Sequence, residues 1–268
     1  MQNKIVIALA PTTGAGVGDG NPVTPEAVSQ QAIAGAKAGA SLVHLHARDE
    51  VGALSTDLTA FNKAVGLIKA SCDIIVEAST GGLSTLTAEE RTLPTGNPHA
   101  QLASLNVGSL NFGDRVYQNS VPNIRLWLKT MNEKGVKPGL EIFDTGNIDC
   151  VKALIAEGLV KQPCNFSLVF DLRWGMPFDT ELLAWMIKRL PANSRWGAIL
   201  VGSTGFEKHI EAARMGASFV RCGFEDSRSY NGKLAQNNPE LVTALRDALE
   251  SAGFSVATTD EARAILLG

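Results

Sequence analysis

Short apolar runs and amphipathic stretches alternate along the whole chain. Eight runs read as strands, at residues 4–10, 41–46, 73–79, 101–107, 138–143, 165–170, 196–201 and 218–222. Most are nearly continuous Val, Ile, Leu, Phe and Ala, as expected of strands buried on both faces of a parallel sheet. Stretches with helical spacing fall between them. The first opens at Thr24-Pro25-Glu26, a capping residue followed by a proline in the first turn, and ends at Gly39. Others are predicted over 57–69, 121–133, 149–157, 179–189, 207–215 and 238–251. The repeating βα order predicts an α/β protein, a single-domain (β/α)8 TIM barrel over residues 1–268, with its active site at the C-terminal ends of the strands. Two irregular segments, the Gly-rich 12–21 and 81–97, follow strands, where barrel enzymes place gating and specificity. Residues 36–49 also align without gaps on 213–226, each reading as helix end, Gly turn, strand and polar strand end.

Composition narrows the partners. The 268 residues carry 24 basic and 27 acidic side chains, for a formal charge of −3, with no block of like charge, which argues against nucleic acid. Cysteines at 72, 150, 164 and 222 are scattered and form no C-x-x-C pair, so neither a disulfide framework nor a zinc knuckle is expected. The first apolar run stops at Pro11, short for a signal peptide, and no run approaches the ~20 residues of a membrane span. A soluble, cytoplasmic protein without a membrane partner is expected.

The predicted strand ends carry a biased set of residues. His44 and His46 lie at i and i+2, on one face of a strand, where two imidazoles can reach one metal ion. In a closed barrel, strands 2 and 8 both flank strand 1, so Glu225 can supply a third ligand. Two histidines and a carboxylate serve zinc, iron, manganese or cobalt. Arg221 and Asp226 bracket Glu225; a positioned arginine holds a carboxylate ionised, and a desolvated aspartate beside it can act as a base. Glu141 ends an otherwise apolar strand and requires a partner such as Arg221. Thr80-Gly81-Gly82 offers a hydroxyl and backbone N–H groups to an anionic carboxylate, while Ser104 and Asn106 offer hydroxyl and amide to the same space. No lysine sits at a strand end, which disfavours Schiff-base chemistry, and no G-x-G-x-x-G opens a helix, which disfavours NAD.

These residues, with Arg48-Asp49, Ser109-x-Asn111-Phe112, Gly175-Met-Pro177 and the closing Ala257-Thr-x-x-Glu261-Ala-Arg263, resemble the β-keto acid cleavage enzymes, a family that includes 3-keto-5-aminohexanoate cleavage enzyme. The resemblance covers nearly the whole chain. It implies a tetrameric (β/α)8 barrel with a divalent metal, typically Zn2+, that condenses a β-keto acid with the co-substrate acetyl-CoA to give acetoacetate and a new acyl-CoA. Residue by residue it makes His44, His46 and Glu225 metal ligands, Arg221 and Asp226 a catalytic dyad, Glu141 a supporting acid, and Thr80 and Ser104 hydroxyl donors to the substrate.

Cys222, Phe224 and Ser227 depart from the family pattern around the dyad, and residues 201–207 lack the Gly-Arg-x-Gln-like run that often follows strand 7. Gly16 falls near where an acidic residue can recognise an amino-bearing substrate, which points away from a cationic one. Two other functions fit the same residues. A metal-dependent aldolase or decarboxylase would work without CoA, and a non-catalytic metal- or metabolite-binding barrel would have no need of Asp226.

Overall fold

A computed structural model describes residues 4–12, 20–49, 51–82 and 85–268. Eight strands, β1 (Lys4–Leu9), β2 (Leu42–Leu45), β3 (Ile75–Ser79), β4 (Ala100–Asn106), β5 (Lys137–Ile142), β6 (Asn165–Phe170), β7 (Arg195–Leu200) and β8 (Phe219–Cys222), pair in parallel in chain order. The sheet closes on itself because β8 pairs back onto β1, with Val6 opposite Phe219 and Leu9 opposite Cys222. The chain is therefore a single (β/α)8 TIM barrel.

Helices wrap the outside: α1 (Pro25–Ala38), α2 (Thr59–Ser71), α3 (Val121–Lys134), α4 (Gly146–Ala156), α5 (Thr180–Arg189), α6 (Glu207–Arg214), α7 (Asn238–Ser251) and α8 (Thr259–Leu266). Their starts are encoded locally. Thr24, Ser120 and Asn237 each accept a backbone N–H of the first turn, and a proline stands at the start of all three helices they cap. Between β3 and β4 the chain forms a 3-10 helix, Glu90–Gly96, instead of an α-helix. No helix among the described residues is long and apolar enough to cross a membrane. The four cysteines are free. The two aligned segments occupy matching places: Gly39 (φ 126°) and Gly216 (φ 99°) turn the chain from a helix end toward β2 and β8.

The strands carry two faces. Ile5, Ile7 and Leu9 of β1 pack under the helices, while Val6 and Ala8 point to the barrel axis. Around that axis Val6, Ala8, Leu42, Ile75, Leu102 and Phe219 form an apolar layer with Ala262 and Leu266 of α8. Thr258 and Glu261 form a capping box that starts α8, and Asn165 Nδ2 donates to the Leu266 carbonyl at 2.7 Å. So α8 closes the N-terminal end of the barrel. Toward the other end the same rows turn polar: Leu42 is followed by His44, Ile75 by Glu77 and Phe219 by Arg221.

His209 on α6 is buried against this frame, its Nε2–H donating to the Arg221 carbonyl at 3.1 Å. Burial pushes its pKa down to about 4. The unfolded chain takes up this proton near pH 6.5, so the contribution of His209 is intact above pH 6.5 and is lost as pH falls toward 4. Over that window the loss is about 1.4 kcal/mol per pH unit. Urea melts at pH 7 and pH 5 should show wild type losing more stability than His209→Gln, which keeps an amide donor at that place.

Candidate active site

The C-terminal ends of the strands open into a cavity of about 690 Å3. His44, His46, Asn106, Glu141, Arg221, Glu225 and Asp226 all line it. Strand closure assembles them. Ala8 of β1 lies opposite both Leu42 and Arg221, which brings the rows of β2 and β8 to either side of β1. Gly223 then turns the chain inward. Its φ is 138°, and a Cβ there would stand 2.1 Å from the Ala10 carbonyl oxygen, so only glycine fits this approach. Glu225 N–H donates to that same carbonyl at 3.2 Å, aiming the Glu225 side chain at the histidines.

His44 Nδ1 lies 2.8 Å from Glu77 Oε2, which accepts its proton and leaves Nε2 with a free lone pair. Gly139 leaves the room for that carboxylate: a Cβ there would stand 2.6 Å from Glu77 Oε1. His44 Nε2 and His46 Nε2 are 3.3 Å apart, and Glu225 oxygens lie 3.7 Å and 3.3 Å from them. The three ligand atoms fall within 4.8 Å of one another. Two nitrogens each about 2.0–2.1 Å from a tetrahedral ion stand about 3.3 Å apart. Glu225 Oε2 is buried without a hydrogen-bond partner, so the donor set fits a divalent cation and can hold one.

Electrostatics favour the ligating forms of His46 and Glu225, while the carboxylates around His44 draw a proton that a bound cation would displace. Burial lowers the His46 pKa to about 4, which keeps it neutral. Burial opposes charge on His44 too, but the Glu225 and Glu77 carboxylates hold its pKa above the ordinary value. Burial also works against the Glu225 carboxylate, and His46, Arg221 and His44 outweigh it, so its pKa lies well below the usual range.

Arg221 is buried and grips Asp226 with two hydrogen bonds, Nε to Oδ2 at 2.8 Å and Nη2 to Oδ1 at 2.5 Å. It also lies 3.4 Å from Glu225 and 3.8 Å from Glu141. Burial raises the Asp226 pKa, with the guanidinium partly offsetting it. Glu141 is pushed up to about 7 by burial, against the pull of Arg221. Its nearest partner is the Asn106 amide, which donates to Oε2.

The other expected substrate contacts are arranged differently. The Thr80 hydroxyl does not reach the cavity; it donates to the Ser104 carbonyl at 2.6 Å. Strand parity explains this, because the inward row of β3 is Ile75, Glu77 and Ser79. Of the hydroxyls of β3 and β4 it is Ser79 that lines the cavity, with Ser104 Oγ 3.5 Å behind it. Gly81 and Gly82 do line the cavity, but their N–H groups are already used, by Ser79 Oγ at 3.1 Å and Tyr117 Oη at 2.7 Å. Gly16 lies outside the described residues.

Several residues in the site were not expected from the sequence. A hairpin of Leu110–Phe112 and Arg115–Tyr117 follows β4 and leans over the cavity. Tyr117 Oη donates to Asn106 Oδ1 at 2.6 Å, anchoring the hairpin to the barrel interior. Buried Arg91 ties the same region together, donating to the Thr80 and Gln118 carbonyls, Tyr117 Oη and Asn119 Oδ1, with its guanidinium 4.1 Å over the Trp127 ring.

By architecture and by the polar residues gathered at its strand ends, the molecule is a (β/α)8-barrel enzyme. A family model described as beta-keto acid cleavage enzyme matches residues 4–267. The chain belongs to that family. It is 35% identical to the 3-keto-5-aminohexanoate cleavage enzyme of Fusobacterium nucleatum over 99% of this chain and 98% of that one. It is 32% identical to the 3-oxoadipate:acetyl-CoA acetyltransferase of Cupriavidus necator, over 99% and 95% of the two chains. A solved ternary complex of ObcA with C4-CoA adduct and oxalate superposes with a TM-score of 0.77 at 20% identity, over 93% of this chain and 68% of that one, a likeness of fold.

Proposed function

We propose that residues 1–268 form one β-keto acid cleavage domain that converts a β-keto acid and acetyl-CoA into acetoacetate and a new acyl-CoA. The observation that carries this reading is the convergence of His44, His46 and Glu225 beside the buried Arg221–Asp226 pair at the floor of one cavity. His44, His46 and Glu225 would hold a divalent ion, zinc first, in a cytoplasmic homotetramer of the kind the family resemblance implies. When bound, the ion acts as a Lewis acid that stabilises negative charge developing on substrate oxygens.

Asp226 takes a proton from the methylene between the keto and carboxylate groups, and Arg221 keeps that carboxylate aimed and charged. The substrate carbanion forms a carbon–carbon bond to the thioester carbonyl of acetyl-CoA, and the CoA thiolate leaves. The thiolate then adds to the original keto carbon; the bond from that carbon to the former methylene breaks, releasing the acyl-CoA. The acetoacetate carbanion left behind recovers its proton from Asp226, which balances the cycle. Glu141, able to carry or release a proton near neutrality, supports the transfers from across the cavity. Ser79, Asn106 and the Gly81-Gly82 backbone shape the wall that receives the substrate, and Thr80 and Ser104 hold that wall from behind.

The test is incubation of zinc-loaded protein with a panel of β-keto acids and acetyl-CoA, following acetoacetate and acyl-CoA together. Equal formation of both is expected. Keto acid consumption that does not need acetyl-CoA would instead mark an aldolase or decarboxylase, and no reaction across the panel would sink the proposal. Glu77→Gln removes the charge that orients His44, and metal affinity should fall about 10- to 100-fold in competition with a chelating dye.

A further inference from the structure

The cavity has more charge than the proposed chemistry uses. Setting aside His44, His46, Glu141, Arg221, Glu225 and Asp226, its charged lining residues are Arg48 and Arg115, both cationic. Among the described lining residues the acids are Glu141, Glu225 and Asp226, and each already has a partner in the site: Asn106, the histidines and Arg221. Among the described lining residues, an amino group on the substrate would find no carboxylate to spare.

Arg115 is placed to meet a ligand. It sits two residues before Tyr117 on the same short strand, so both side chains share the face that Tyr117 fastens to the barrel interior through Asn106. Directly across the hairpin is Phe112, which also lines the cavity. Arg115 is exposed and has no carboxylate within 4.0 Å among the described residues, so its guanidinium fork is available. Arg48 continues the inward row of His44 and His46, its Nη1 held by the Gly52 carbonyl at 2.8 Å. The volume of about 690 Å3 exceeds what the reacting carbons need, and Leu54 and Phe112 add apolar surface to the same lining as Arg115.

We infer that Arg115, aided by the field of Arg48, selects β-keto acids that carry a second, distal carboxylate, with the methylenes between the two carboxylates lying along Leu54 and Phe112. This rests on the β-keto acid cleavage reading above and names the substrate class of that site. A guanidinium binds a carboxylate through two parallel N–H···O bonds, and no neutral or cationic end group can replace that pairing.

The experiment compares kcat/KM for 3-oxoadipate, 3-oxohexanoate and 3-keto-5-aminohexanoate, each with acetyl-CoA, in wild type, Arg115→Gln and Arg115→Glu. Wild type should favour the dicarboxylate by at least about 10-fold, Arg115→Gln should lower only its kcat/KM by about 10- to 100-fold, and Arg115→Glu should move the preference toward the amine. The inference is overturned if wild type prefers the neutral or amino substrate, if Arg115→Gln depresses all three equally, or if its effect falls on the KM for acetyl-CoA, which would make Arg115 a CoA phosphate contact. Failure of all three keto acids to react in wild type would overturn the underlying reading as well.

Discussion

Asp226→Asn should lower kcat by about 10³-fold while leaving the metal site filled. The base must be desolvated enough for its affinity for a proton to rise, yet fixed in place. Asp226 meets both needs, buried at 8% exposure and gripped by two Arg221 hydrogen bonds. Asparagine keeps the shape but cannot accept the proton, and its amide turns one N–H toward the guanidinium. Some stability goes with it, since breaking a buried pair costs about 3–5 kcal/mol. Glu225 and Glu141, 3.4 Å and 3.8 Å from Arg221, soften that loss. The measurement is therefore turnover well below the melting midpoint, with zinc content determined on the same sample. Turnover within about tenfold of wild type would remove Asp226 from the role of base.

His46→Ala is expected to abolish metal retention. His46 supplies a neutral nitrogen 3.3 Å from that of His44, and burial holds its pKa at about 4, so no proton competes for the lone pair at pH 7. Its Nδ1 makes no hydrogen bond, so removing the ring leaves no partner stranded on that side. A ligand that binds only the folded state stabilises it, by about 4 kcal/mol at a thousandfold excess over Kd. Zinc should accordingly raise the Tm of wild type and leave that of His46→Ala unmoved. A variant that still gained stability from zinc would show that the ion binds elsewhere.

Much of this was legible because the barrel follows simple periodicity. The strand 165–170 matches Asn165–Phe170 to the residue, and the other seven differ by one or two positions at their ends. Closure explains why His44, His46 and Glu225 meet despite their distance in sequence. Glu77 escaped notice although its signal was present: one carboxylate inside the buried run of β3 needs a partner, and His44 lies directly opposite it in the register. The same parity points to Ser79 over Thr80. The hairpin carrying Arg115 and Tyr117 has strands of three residues, too short for any period to show. Helix α8 was missed because eight residues make little more than two turns, although its capping box is plain in Thr258 and Glu261.

The position of α8 bears on traffic. Ala262 and Leu266 cork one end of the barrel against Val6, Leu42, Ile75 and Phe219. Among the described residues the interior is thus a cul-de-sac that opens at the strand C-termini. A small molecule resting on the deep polar layer therefore arrives and departs from the side that carries the metal-ligating and dyad residues.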